Sequence, residues 1–116
     1  MMLSRVDTVY LAAGATDLRK SIDGLAVIVQ EHFRLDPFSR HLFVFCNRKK
    51  DKIKVLEWSG DGFWLHYKRL EKGRFQWPDG DSQSLAVSQR EFRWLLDGLP
   101  LHQTAANPEI SERIIV

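Results

Sequence analysis

The chain has 116 residues, 44% of them hydrophobic and 28% charged, with a formal net charge of +2. That length makes one domain with its own core, and the balance is that of an ordinary folded protein, not of a disordered or strongly polyionic one. The lone cysteine, Cys46, excludes an internal disulfide, no apolar run approaches a membrane span, and MMLSRVDTVYL lacks a signal's long apolar segment, so the expected location is cytoplasmic, without a membrane partner.

Thr8 to Ala12 is rich in β-branched and aromatic residues and predicts a first strand. Gly14-Ala15-Thr16 turns the chain, and Thr16 or Asp17 is placed to cap a helix beginning near Leu18. Leu18, Ile22, Leu25, Val29 and Phe33 recur at steps of 4, 3, 4 and 4, the apolar stripe of an amphipathic helix that ends by Asp36-Pro37. His41 to Cys46 is nearly all apolar and predicts a central strand. A polar tip, Asn47 to Asp51, leads into a second strand of the run, Lys52 to Trp58. Ser59-Gly60-Asp61-Gly62 is a strong turn signal before a third, Phe63 to Leu70. Glu71-Lys72-Gly73 turns again, Arg74 to Trp77 is expected as the fourth, and Asp79 to Gln83 as a polar loop. Ser88-Gln89-Arg90-Glu91 matches a capping box, opening a helix that Gly98 and Pro100 close. Its apolar face is Phe92, Leu95 and Leu96, with Trp94 beside it. The order is β-α-ββββ-α, an α+β fold. It predicts a single domain over 1–106, an antiparallel sheet of four to five strands with two packed helices, and a loosely held tail over 107–116.

The charge is unevenly spread. Between His41 and Pro78 lie Arg48, Lys49, Lys50, Lys52, Lys54, Lys68, Arg69, Lys72 and Arg74, more than half of the chain's 17 Lys and Arg, against four acids. The first five cluster at one hairpin tip and strand face and the last four crowd the next turn; two such clusters can neutralise several phosphates, and a two-stranded ribbon can enter a major groove, so these nine are the candidate nucleic-acid contacts. Against this stands the ordinary use of lysine at hairpin tips and edge strands to prevent sheet-to-sheet aggregation. Trp58 and Trp64 flank the Ser59–Gly62 turn and are placed to meet as a cross-strand pair; exposed they would stack bases, buried they are core. Trp77 and Trp94 are expected in the core. Arg19 and Lys20 sit where a strand meets a helix start, a candidate anion or partner contact, with Asp23 one turn on as a pairing partner for Arg19.

No catalytic constellation emerges. The acids around the first helix have roles as caps or ion-pair partners, His32, His41, His66 and His102 lack metal-ligand spacing, and Cys46 lies in an apolar strand as an inert thiol. The expectation is a non-enzyme with no cofactor, no metal and no small-molecule substrate.

The blocks GATDLRKSIDGLAVIV, DPFSRHLFVF, DKIKVLEWSGDGFWLHYKRLEKGRFQWP and FRWLLDGL, in this order, resemble the short accessory protein of bacterial insertion-sequence family sixty-six, the TnpB-type product of its second open reading frame. The resemblance covers about residues 5 to 105. It implies a protein encoded beside a separate, larger transposase, needed for efficient movement of the element, with no known catalytic activity and no catalytic residues to carry over. Where members often have a Gly-Arg-Arg type tip, this chain has Asn47-Arg48-Lys49-Lys50. The resulting expectation is an accessory protein that binds DNA, or a transposase–DNA assembly, through the basic sheet. The rival is an adaptor with no direct DNA contact, which holds the transposase or the element's other accessory protein through Trp58, Trp64 and Tyr67.

Overall fold

In the computed structural model of the chain, the residues described are Met1, 6–80 and 83–99. Five strands form one sheet: β1 (Val9–Ala12), β2 (Leu42–Cys46), β3 (Lys52–Trp58), β4 (Phe63–Arg69) and β5 (Ser84–Val87). Helix α1 (Ile22–Val27) continues into a π-helical stretch, Ile28–His32, and α2 (Gln89–Leu96) closes the described chain. This is the expected β-α-ββββ-α order and an α+β fold. The spatial order is β4-β3-β2-β1-β5. The sheet is mixed: β1 and β2 run parallel, and every other pair is antiparallel. Adjacent parallel strands need a long crossover, and α1 supplies it.

All five residues of β2 are buried, as its apolar run dictates for a central strand. Alternation then divides the core into two layers. On one face Val9, Leu11, Val44, Ile53 and Val55 pack under Phe92 and Leu95 of α2. On the other, Phe43, Phe45 and Leu56 pack under Leu25 and Val29. The predicted stripe is therefore real as packing, since Leu18, Ile22 and Phe33 also join this layer.

The helix itself starts later than its stripe. Arg19 N donates to Asp17 Oδ1 (3.0 Å) and Lys20 N to the Asp17 carbonyl (3.2 Å), so Asp17 closes a local turn instead of capping a helix. The N-cap is Ser21, with no side-chain cap bond. At the far end Phe33 N reaches the Ile28 carbonyl at 3.2 Å, a widened turn that leaves the Phe33 ring stacked near Phe45.

Arg74 to Trp77 is not a strand. Phe75 and Trp77 are buried, but they cover the sheet face beside α2 instead of joining an edge. Phe75 N donates to Lys50 O (2.7 Å) and Trp77 N to Phe75 O (2.9 Å), a local path that precludes a ladder. The remaining strand comes from Ser84–Val87, which pairs antiparallel with β1. The capping box at α2 forms as expected: Glu91 N donates to Ser88 Oγ (3.0 Å) and Ser88 N to Glu91 Oε1 (2.9 Å). Gly98, at φ +78°, ends the helix, with Leu99 N bonded to Trp94 O. The 107–116 tail lies outside the described residues.

Candidate nucleic-acid interface

The β2–β3 tip is shaped by one side chain. Asn47 Oδ1 accepts from Asp51 N (3.1 Å) and Lys52 N (3.0 Å), while its Nδ2 donates to Asp51 Oδ1 (2.7 Å). That last bond lowers the Asp51 pKa. Lys50 takes φ +62° to complete the turn. Arg48 and Lys49 are left exposed at its apex.

Two chain segments distant in sequence meet this tip. Lys52 pairs with Arg69 across β3 and β4, and Leu70 N donates to Asp51 O (2.7 Å). The bond from Phe75 N to Lys50 O draws Arg74 alongside. From the other direction Thr16 N donates to Cys46 O (2.8 Å), bringing the Gly14–Lys20 loop to the end of β2. That loop is held from below, because Trp77 Nε1 donates to both Ala12 O and Gly14 O at 3.0 Å. Gly14 also lies so close to Gly80 that a Cβ there would sit 2.3 Å from the Gly80 carbonyl oxygen. The two predicted basic clusters, and Arg19 and Lys20 with them, thus gather at one end of the sheet. Two open grooves lie there: one of about 490 Å³ flanked by Lys20, His32 and Arg48, and one of about 540 Å³ flanked by Arg19, Asn47, Lys52 and Tyr67.

The nine candidate cations are not equivalent. Lys54 Nζ is spent on the carbonyls of Leu18 (2.6 Å) and Lys20 (3.1 Å). Lys68 lies on the opposite sheet face and donates to Leu96 O (3.2 Å), near the negative end of the α2 dipole. Lys50 pairs with Asp79 (3.3 Å) and Arg69 with Glu71 (2.8 Å). Arg48, Lys49, Lys52, Lys72 and Arg74 have no carboxylate within ion-pair distance among the described residues. Arg19 pairs with Asp17 (2.8 Å), not with Asp23. The Arg19 hydrogen bond holds the Asp17 carboxyl down at a pKa of about 2.

The aromatics sit elsewhere. Trp58 and Trp64 do not form a cross-strand pair: Trp58 faces Phe63 and Trp64 faces Glu57, on opposite sides of the sheet. Trp58, Phe63 and Phe38 form a cluster with centroids 4.9–5.3 Å apart at the end away from the basic tip, with Phe38 more than half exposed. Trp64 is 60% exposed and Tyr67 56%. Trp77 is core, as expected, while Trp94 is half-buried with Arg90 over its ring at 6.0 Å. Cys46 is fully buried, and desolvation pushes its thiol up to about 12. A buried Glu57 bonded to His66 at 2.7 Å was not anticipated. Its place in the Ile53-Val55-Glu57 alternation is the signal that it faces inward. No group of three His, Cys, Asp or Glu able to hold a metal occurs among the described residues, and no described helix is long and apolar enough to cross a membrane.

Two proteins of Sinorhizobium fredii (strain NBRC 101917 / NGR234), both named only as uncharacterized, are similar to this chain. One, y4hO, is 40% identical over 91 residues, covering 78% of this chain and 79% of its own. The other, y4jC, is 30% identical over 105 residues, covering 90% of each. No solved structure matches. The family model described as IS66 Orf2-like protein matches residues 7–106, which takes in every described strand and helix and the cationic end. The chain therefore belongs to the IS66 Orf2-like family, accessory proteins associated with an insertion sequence.

Proposed function

We propose that this protein serves transposition by binding DNA, or a transposase–DNA assembly, through the cationic end of its sheet. The observation that carries the reading is convergence. Arg48, Lys49 and Lys52 from one hairpin meet Lys72 and Arg74 from a segment packed beside it, and none of the five is neutralised by a described carboxylate. Cations held at one end of a rigid sheet can replace counterions along a phosphate backbone, and such contacts position a complex without reading sequence. Chemistry on the DNA then belongs to the separate transposase.

Anisotropy titrations against the element's terminal-repeat DNA and a scrambled duplex, at two salt concentrations, test this. The expected result is salt-sensitive binding to both duplexes. Preference for the terminal repeat would add a role in marking the ends. Absence of binding at low salt refutes direct DNA contact.

A second reading rests on the Phe38–Trp58–Phe63 cluster at the opposite end. An aromatic group with Phe38 exposed over part-buried Trp58 and Phe63 is suited to a protein partner, the transposase or the element's other accessory protein. The two readings use different ends of the sheet and are compatible.

A further inference from the structure

The outer edge of β4 has no strand beside it among the described residues. β4 has seven residues and stands at the edge of the sheet. Hydrogen-bonded and non-bonded positions alternate along an antiparallel ladder. Leu70 N donates to Asp51 O beyond one end of the β3–β4 pair, and Ser59 N to Gly62 O beyond the other. Both fix the same phase. Trp64, His66 and Lys68 turn their backbone groups toward β3. Phe63, Leu65, Tyr67 and Arg69 turn theirs outward, where no described residue pairs with them.

We infer that β4 pairs antiparallel with β4 of a second copy, about a two-fold axis at His66. The side-chain pattern selects this partner and this register. Phe63 then faces Arg69 of the second copy, Trp64 faces Lys68, and Leu65 faces Tyr67, each repeated by symmetry. The outward backbone groups of Phe63, Leu65, Tyr67 and Arg69 all meet outward groups. Lys68 and Arg69, the lysine and arginine of β4, are each set against an aromatic ring, and His66 meets its own copy on the axis. A slip of one residue puts outward groups opposite inward ones. A slip of two one way sets Lys68 against His66; the other way carries Lys68 and Arg69 past the end of β4 to the Gly62 and Asp61 turn, which shortens the ladder and takes the ring away from Lys68.

The exposure of Trp64 (60%) and Tyr67 (56%) has a use in this arrangement, since both rings are covered by the second copy. An open aromatic edge is otherwise an aggregation hazard. Pairing consumes it in a closed dimer. The two cationic ends then point in opposite directions along one continuous sheet. The inference does not depend on DNA binding.

Sedimentation equilibrium across the micromolar range tests it, with Trp64→Lys and Trp64→Glu compared with the parent chain. Both substitutions sit at an exposed position and remove the same ring. Lysine faces Lys68 of the second copy and glutamate attracts it; within the chain the signs are reversed, since position 64 stands across from Glu57, so the melting curve of each variant is recorded beside its mass. The parent is expected to approach twice the 13.5 kDa of one chain. Trp64→Lys should weaken the dimer by about tenfold or more, because the change acts twice in each dimer, whereas Trp64→Glu should retain it. Tyr67→Pro removes an outward donor without touching the β3 ladder and should give a monomer. A parent that stays monomeric throughout, or a dimer that lysine and glutamate shift alike, overturns the inference.

Discussion

The Trp77 indole ties the fold to the cationic end, and Trp77→Phe tests that link. The ring is 5% exposed, and its N–H serves two carbonyls, Ala12 O and Gly14 O. Phenylalanine keeps an aromatic plug but leaves those acceptors without their donor. Unpairing buried polar atoms costs about 1–3 kcal/mol, and the smaller ring adds about 1 kcal/mol of lost packing. A loss of about 2–4 kcal/mol lowers the Tm of a domain this size by at least about 8 °C. Thermal unfolding followed by circular dichroism reads the shift directly. A Tm within about 4 °C of the parent would mean the indole bonds are not what secures the Gly14–Lys20 loop, and the reasoning would fail.

The other predictions are independent of it. Asp17 is held at a pKa of about 2 against an ordinary 3.8, so its pairing with Arg19 is intact above pH 3.8 and is lost as pH falls through 2; an NMR titration should show this midpoint, and Arg19→Ala should return it toward 3.8. Cys46 should resist a thiol reagent at neutral and mildly alkaline pH in the folded protein and react at once in denaturant, because its thiol is buried and pushed up to about 12. Ser88→Ala removes the acceptor of the capping box and should cost about 1 kcal/mol in urea unfolding. Lys54→Met should destabilise the fold, since two carbonyls lose their donor, whereas Lys49→Met should leave stability within about 0.5 kcal/mol of the parent.

Local patterns in the sequence carried much of this fold. The apolar run to Cys46, the stripe ending at Phe33 and the box at Ser88 each depend on neighbours within a few residues, and each appears in the structure. Phe75 and Trp77 misled because residues two apart share a side in any extended segment, hydrogen-bonded to a strand or not. Whether such a segment joins an edge is decided by distant atoms, here the Lys50 carbonyl. The parallel pairing of β1 with β2 has the same origin, a contact across a long crossover. At the basic end, charge counting found the cations but not their employment. Lys54 and Lys68 are occupied by carbonyls 36 and 28 residues away, which no local pattern reveals.

The most direct test of the central claim is the salt dependence of duplex binding, measured for the parent and for an Arg48→Ala/Lys49→Ala double variant. If both side chains contact phosphates, the slope of log K against log salt should become shallower by about 1.8, with weaker binding to every duplex sequence and an unchanged melting curve. An identical slope for parent and variant, or no binding by the parent at low salt, would contradict the assignment of the cationic end to DNA.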